Sequence, residues 1–208
     1  MFASAMKTFC DTFRDGFTIY DKPLAIVSAK GTAGKVVIED SIPAFSADSG
    51  RQGVFRLSSA GDHRRVLREA FQKAEHMVLV VSPFITLQAI NADRIDQLAA
   101  SAVSRGVKVV FVVDDELNRD ANNKVKVSSL QAKAMLERSG ARFVIARQIH
   151  NKTLCTDMNM IVEGSFNWLS AVRDPNGRYK REEKSIMCCG RIAASMVKDV
   201  IKEIGIKI

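Results

Sequence analysis

The chain has few of the residues that usually mark a metal centre or a secreted protein. It contains four cysteines and three histidines among 208 residues. The cysteines lack the spacing of metal ligands, and three of them lie in apolar, strand-like runs, which predicts buried free thiols in a reducing cytoplasm. No apolar stretch approaches the roughly 18 residues of a membrane span. The N-terminal charges of Asp11, Arg14 and Asp15 come too early for a secretory signal, so we expect a cytoplasmic protein without a transmembrane segment.

Positive charge is present in excess. The chain has 31 Lys and Arg against 23 Asp and Glu, a formal net charge of +8. Such a balance favours a polyanionic partner, because bound Lys and Arg release counterions from nucleic acid. Anionic lipid would be attracted as well, so charge alone does not select the partner.

Apolar periodicity predicts helices alternating with strands after residue 58. The predicted helices are 62–75, with Asp62 as N-cap, 93–104, 129–139 and 192–204. The predicted strands are 77–81, 107–113, 142–146 and 185–189, with a hairpin of 148–156 and 160–163 between the last two. This alternation predicts a layered α/β domain with a mixed sheet over 59–208. Residues 1–58 hold short alternating pieces between Gly, Ser, Asp and Pro, and predict a β-rich or partly ordered extension.

The residues with the clearest chemistry lie in the run HNKTLCTDMNMIVEGSFNW. In a strand over 148–156, His150 and Lys152 project from the same face. A neutral imidazole can attack phosphorus, and an ammonium can neutralise phosphate oxygens as charge builds. Asp157 has the opposite parity and is predicted at the hairpin end, where it orients its neighbours.

Small and polar residues follow this hairpin. Gly164 permits a sharp exit from the second strand. The Ser165 hydroxyl and the Asn167 amide can donate hydrogen bonds to an anion there. Together these side chains predict a phosphate site.

The pattern H-x-K-x4-D-x6-G-S-x-N resembles the signature of the phospholipase D superfamily, and the small bacterial endonucleases of that superfamily most of all. The resemblance extends over about residues 60–208 and is most specific at 150–167. It implies a layered α/β/α phospholipase D-like fold and phosphodiester chemistry through a covalent phosphohistidine, with no metal or cofactor.

The resemblance also implies roles for individual residues. The catalytic set would be His150, Lys152, Asp157 and Glu183, where Glu183 holds the histidine tautomer and Glu182 is the alternative. The phosphate-binding set would be Lys152, Ser165 and Asn167.

The motif occurs once, and one imidazole cannot both attack phosphorus and protonate the leaving oxygen. His63 and His76 lack a lysine at the motif spacing, and a structural role is predicted for them. Family members with one motif pair two subunits about a two-fold axis through the site. The resemblance therefore implies a homodimer in which the two copies of His150 share one active site.

Superfamily membership gives the chemistry but not the substrate. The basic balance favours an endonuclease acting on DNA or RNA with low sequence specificity, since Phe166 and Trp168 are too few for base stacking. Candidate contacts to the phosphate backbone are Arg173, Arg178, Lys180 and Arg181, with an ordinary solvated loop as the alternative. A phospholipase D-type lipid hydrolase or phosphatidyl transferase, and a catalytically silent nucleic-acid-binding subunit, are the other readings of the site. The acidic residues Asp114, Asp115, Glu116 and Asp120 are expected to form a polar loop at the end of a strand rather than a magnesium site.

Overall fold

A computed structural model describes residues 25–27, 33–35, 53–174, 176–178 and 181–207. Most of the predicted N-terminal extension, including Cys10, lies outside these residues. Within them, no helix is long and apolar enough to cross a membrane.

The described residues form nine strands and five helices. The strands are β1 Ala25–Val27, β2 Ala33–Lys35, β3 Gly53–Leu57, β4 Met77–Val81, β5 Lys108–Asp114, β6 Arg142–Ala146, β7 Thr153–Thr156, β8 Met160–Gly164 and β9 Ser185–Cys189. The helices are α1 Ala60–Lys73, α2 Leu87–Asp93, α3 Ile95–Ser104, α4 Val127–Arg138 and α5 Arg191–Ile204. Strands β1 and β2 form a separate antiparallel pair.

The other strands form one sheet in the order β3-β9-β8-β7-β4-β5-β6. β4, β5 and β6 run parallel to one another. The four remaining neighbour pairs, β4 with β7, β7 with β8, β8 with β9 and β9 with β3, are antiparallel. Val81 at the end of β4 pairs with Thr153 at the start of β7, and Thr153 pairs with Glu163 near the end of β8. The segments before β7 and after β8 therefore meet at the same end of these neighbouring strands.

Both faces of the sheet are covered, because the central strands are apolar on both sides. One core contains residues of α1 to α4 with Phe71, Phe111 and Trp168 among its large side chains. The second core lies under α5, where Val197 packs with Ile161 of β8. These layers confirm the predicted α/β class with a mixed sheet.

Several elements differ from the sequence prediction. β3 falls within the predicted extension, yet it pairs with β9 and forms an edge of the main sheet. The helix predicted at 93–104 is α3, which begins two residues later at Ile95. The short helix α2, which the sequence did not predict, precedes it, and Arg94 separates the two in the left-handed region at φ 50°. The N-cap of α1 is Ser59 rather than Asp62, which instead completes a capping box from the third helical position.

Candidate active site

His150 and Lys152 lie before strand β7 rather than inside it. The predicted strand over 148–156 is shorter, because Gln148 is in the left-handed region at φ 58° and regular pairing begins only at Thr153. The two side chains nevertheless meet: Lys152 Nζ lies 3.3 Å from His150 Nδ1. His150 is exposed, so its imidazole is open to a substrate at this end of the strands.

Lys152 is held against the protein. It is 8% exposed, and its Nζ donates a 2.6 Å hydrogen bond to the backbone oxygen of His150. Burial lowers the pKa of Lys152, and the negative charge of Glu183 opposes that shift. A buried ammonium with few partners is suited to bind an oxyanion, since a phosphate would supply the missing negative charge.

The turn after β8 approaches β9 closely at Gly164. A Cβ atom at Gly164 would lie 2.1 Å from Ser185 Oγ and 2.5 Å from the backbone oxygen of Lys184. Glycine is therefore required here by space rather than by a left-handed backbone. The close approach lets Ser165 and Lys184 exchange hydrogen bonds: Ser165 N donates to Lys184 O at 3.1 Å, and Lys184 N donates to Ser165 Oγ at 3.1 Å.

Glu183 is placed by this turn. The Ser165 hydroxyl donates a hydrogen bond to its carboxylate. Among the hydrogen bonds of the described residues, none joins Glu183 to His150, so the role in holding the histidine tautomer stays a prediction. Glu182 is exposed.

Asn167 begins a turn in which its backbone oxygen accepts from Ser170 N at 3.1 Å and Ala171 N at 2.8 Å. Its side-chain Oδ1 is buried and has no hydrogen-bond partner among the described residues. An amide oxygen only accepts hydrogen bonds, so a contact from Asn167 to a phosphate oxygen would be donated by its Nδ2 group. Beside this turn lies a cleft of about 410 Å³, lined by Ala89 and Ala92 of α2 and by Ser170–Asp174.

Asp157 lies at the opposite end of the strands from His150. It occupies the hairpin loop between β7 and β8 at φ 50°. Its carboxylate accepts hydrogen bonds from the backbone N–H groups of Glu75 at 2.8 Å, His76 at 2.7 Å and Met77 at 2.8 Å. The structure therefore places it as the anchor between this hairpin and the start of β4, which agrees with an orienting role and not with contact to the reacting atoms.

Arg173 was predicted to contact nucleic acid, and the structure contradicts this. Its side chain is only 6% exposed and pairs with Asp93 at 2.8 Å, while its guanidinium lies 5.2 Å from the ring centre of Phe166. Burial lowers the pKa of Arg173, and the charge of Asp93 opposes that shift. Arg178 and Arg181 are exposed, and Lys180 lies outside the described residues.

His63 lies beneath the site and is fully buried. Its Nδ1 donates to the backbone oxygen of Ser59 at 2.6 Å, so its Nε2 accepts from Ser185 Oγ at 2.8 Å. Its ring stacks on Phe166 at 4.5 Å. His63 thus supports the turn that carries Ser165, a role that no local pattern could indicate because Ser185 is 122 positions away.

Glu163 is a partly buried acid next to the turn. Its carboxyl group accepts a 2.5 Å hydrogen bond from Thr153 Oγ1. Burial raises the pKa of Glu163 to about 7, while the Thr153 hydrogen bond opposes the rise and the negative charge of Glu203 adds to it.

The acidic run after β5 does not converge on a cation site. Asp114 accepts three backbone N–H groups, and Asp115 pairs with Arg119 at 3.1 Å. Among the described residues, no group of three or more His, Cys, Asp or Glu is arranged to hold a metal ion. The run is a structured loop.

Comparison with known proteins defines the class. A family profile described as "Cardiolipin synthase, PLD-like domain" matches residues 67–177, more than half of the chain. The chain therefore belongs to the phospholipase D-like family. Of its signature residues, His150, Lys152, Ser165 and Asn167 lie at one end of the strands, and Asp157 lies at the other. No curated protein sequence matches the chain.

Solved structures share the fold at low identity. Nuc from Salmonella typhimurium, described as a phospholipase D family member, aligns with TM-score 0.53 and 20% identity over 72% of this chain and 91% of its own. NucT from Helicobacter pylori aligns with TM-score 0.52 and 16% identity over 74% and 96%. Polyphosphate kinase from Porphyromonas gingivalis aligns with TM-score 0.53 and 14% identity over 73% of this chain but 26% of its own. At these identities the likeness shows the fold alone.

Proposed function

We propose that this protein is a metal-independent phosphodiesterase that cleaves nucleic acid, with DNA as the expected substrate, RNA as the alternative and low sequence specificity. The observation that carries the proposal is the exposed imidazole of His150 beside the buried ammonium of Lys152. This pair joins a nucleophile to a fixed positive charge, the two groups that phosphoryl transfer through a histidine requires.

The reaction has two steps. A neutral ring nitrogen of His150 attacks phosphorus, the bond to the leaving oxygen breaks, and that oxygen takes a proton from an acid on the opposite side. Water then attacks the phosphohistidine and gives one proton to the group that protonated the leaving oxygen, while the P–N bond breaks and the imidazole of His150 is released. Lys152 and the amide nitrogen of Asn167 bind the phosphate oxygens in both steps, and Ser165 joins them when its hydroxyl turns its one proton from Glu183 to the phosphate.

We infer that the acid is an imidazole from a second copy of the chain, because one imidazole cannot attack phosphorus and protonate the leaving oxygen at once. The whole sequence has only three histidines. His63 is buried in the core, and His76 precedes β4 at the end of the sheet where Asp157 binds its backbone. Neither lies at the site, so the proposed enzyme is a homodimer in which His150 of one subunit attacks and that of the other protonates the leaving oxygen.

Charge supports nucleic acid as the substrate. The net charge of +8 favours a polyanion. Arg178 and Arg181 are exposed beyond the turn and can contact backbone phosphates. The side chain of Arg173 is too buried to make such a contact. Phe166 and Trp168 are each 1% exposed, which supports weak sequence preference because neither can stack on a base.

The test compares wild type with His150→Ala on supercoiled plasmid, single-stranded DNA, RNA and phosphatidylglycerol vesicles, each with and without EDTA. We expect chelator-resistant cleavage of nucleic acid that is lost in the variant. The matched control is His76→Ala, whose exposed imidazole lies away from the site and whose cleavage rate should equal wild type. Turnover of lipid alone would establish the lipid-hydrolase alternative, and binding without cleavage the silent subunit.

Sedimentation tests the shared site. We expect a dimer at the concentration at which cleavage is measured. Full activity in a strictly monomeric protein would refute the two-histidine mechanism.

A further inference from the structure

The segment that leads to His150 contains an unusual backbone. Gln148 has φ 58°, in the left-handed region that most side chains avoid. Its side chain is exposed, so no packing of that side chain explains the conformation. A non-glycine residue held this way persists only where its surroundings impose it.

The surroundings that impose it come from the end of β5. On one side of Gln148, the backbone oxygen of Ala146 accepts from Asp115 N at 2.8 Å. On the other side, Ile149 N donates to Asp114 Oδ2 at 3.0 Å. Two neighbouring residues therefore fix both flanks of the left-handed residue.

Asp114 is itself rigidly placed. It is 3% exposed, and its second oxygen, Oδ1, accepts from Glu116 N at 2.8 Å and Leu117 N at 2.9 Å. Asn118 also donates to the backbone oxygen of Asp114 at 2.9 Å. Both carboxylate oxygens thus act as acceptors for backbone N–H groups, and the bond to Ile149 fixes the peptide just before His150.

We propose that Asp114 is a positioning residue for the nucleophile, acting with the left-handed Gln148 as a clamp that sets the location of the His150 imidazole beside Lys152. The proposal rests on the proposed phosphodiesterase function. Lys152 completes the clamp from the other side by donating to the His150 backbone oxygen at 2.6 Å. A reacting nitrogen must lie close to phosphorus and in line with the leaving oxygen, and small displacements reduce the rate steeply.

The first test changes only the backbone preference at Gln148. Gln148→Gly keeps a positive φ without steric cost, whereas Gln148→Val carries a β-branched side chain that disfavours it. With bis(p-nitrophenyl) phosphate as a small diester, we expect Gln148→Gly to retain kcat within about twofold and Gln148→Val to lose about tenfold or more. KM should change less than kcat, because two of the three phosphate-binding residues, Ser165 and Asn167, lie outside the clamp. Gln148→Gly should keep a melting temperature close to wild type, whereas the backbone strain in Gln148→Val should lower it by a few degrees, so kcat is compared well below both transitions.

The second test changes the acceptor. In Asp114→Asn the amide has one oxygen and one NH2 group, so one set of backbone N–H groups loses its acceptor whichever way the amide turns. The amide oxygen should stay with Glu116 N and Leu117 N, which are two donors against one, so Ile149 N loses its acceptor. We expect faster hydrogen exchange at the Ile149 amide and a fall in kcat of about tenfold to a hundredfold with a smaller change in KM.

The outcomes separate the two proposals. If wild type hydrolyses neither the small diester nor nucleic acid, the phosphodiesterase function is wrong and the clamp falls with it. If wild type is active and Gln148→Val retains full kcat, or Asp114→Asn only lowers the melting temperature, the clamp is refuted while the proposed function stands.

Discussion

Replacing the motif aspartate should destabilise the fold. Asp157→Ala removes the acceptor of three backbone N–H groups at the start of β4, bonded at 2.7 to 2.8 Å. A hydrogen bond to a charged group contributes about 1.5–3 kcal/mol. Glu75 and His76 are exposed, so water can replace the acceptor there, whereas Met77 is 4% exposed and cannot exchange its partner as easily.

The hydrogen bond of Met77 should be lost almost fully and those of Glu75 and His76 in part, so we expect Asp157→Ala to lower the free energy of unfolding by about 3–4 kcal/mol. For a protein of this size that corresponds to a fall in melting temperature of roughly 10 °C. Thermal unfolding followed by circular dichroism measures it. The control is Asp120→Ala, since Asp120 also accepts backbone N–H groups, from Asn122 and Lys124, but within an exposed loop. That variant should lose less than about 1 kcal/mol.

Two results would refute the structural assignment of Asp157. One is a melting temperature within about 2 °C of wild type, which would mean that the three hydrogen bonds contribute little. The other is an unchanged melting temperature together with lost cleavage, which would indicate that Asp157 takes part in the chemistry.

Two further predictions concern the turn after β8. Burial raises the pKa of Glu163 to about 7, so near neutral pH its carboxyl group keeps a proton in the folded state that the unfolded chain, with an ordinary pKa of 4.5, has released. The free energy of unfolding of the wild type should therefore fall by up to about 3 kcal/mol between pH 5 and pH 8. Urea titrations of Glu163→Gln should show a weaker dependence on pH. The same dependence on pH in both proteins would contradict the prediction. Gly164→Ala should cost at least about 1–3 kcal/mol and reduce cleavage by forcing Ser165 away from β9, whereas Gly61→Ala, where the nearest atom is 3.5 Å away, should be tolerated. If Gly164→Ala melted at the same temperature as the wild type, the prediction would be wrong, because β8 and β9 would then move apart at this position without cost.

The active-site chemistry was readable from the sequence because its parts are close along the chain. His150, Lys152, Ser165 and Asn167 lie within 18 positions and flank a single hairpin. Strands β4, β5 and β9 were predicted nearly to the residue, since their apolar runs are continuous. The sequence predicted that His150 and Lys152 share one face of a strand, but in the structure the two side chains meet in the segment before strand β7.

The errors occurred where the deciding partner is remote. Arg173 looked like a surface cation, but Asp93, 80 positions away, and the Phe166 ring bury it. β3 looked like part of an extension, yet its ladder partner is β9. Neither contact leaves a trace in local composition, because burial and strand pairing depend on which segments the fold brings together.

The sequence by itself determined the layered α/β class, the family and the phosphate-directed residue types, because periodicity and motif spacing are local properties. Only the tertiary structure decided how those residues are used. It exposed His150 while burying Lys152, and it moved Asp157 to the far end of the sheet as an anchor. It also set Asp114 against the peptide that precedes the nucleophile, across 35 positions of sequence. Such placements follow from the packing of distant segments, which no short stretch of sequence encodes.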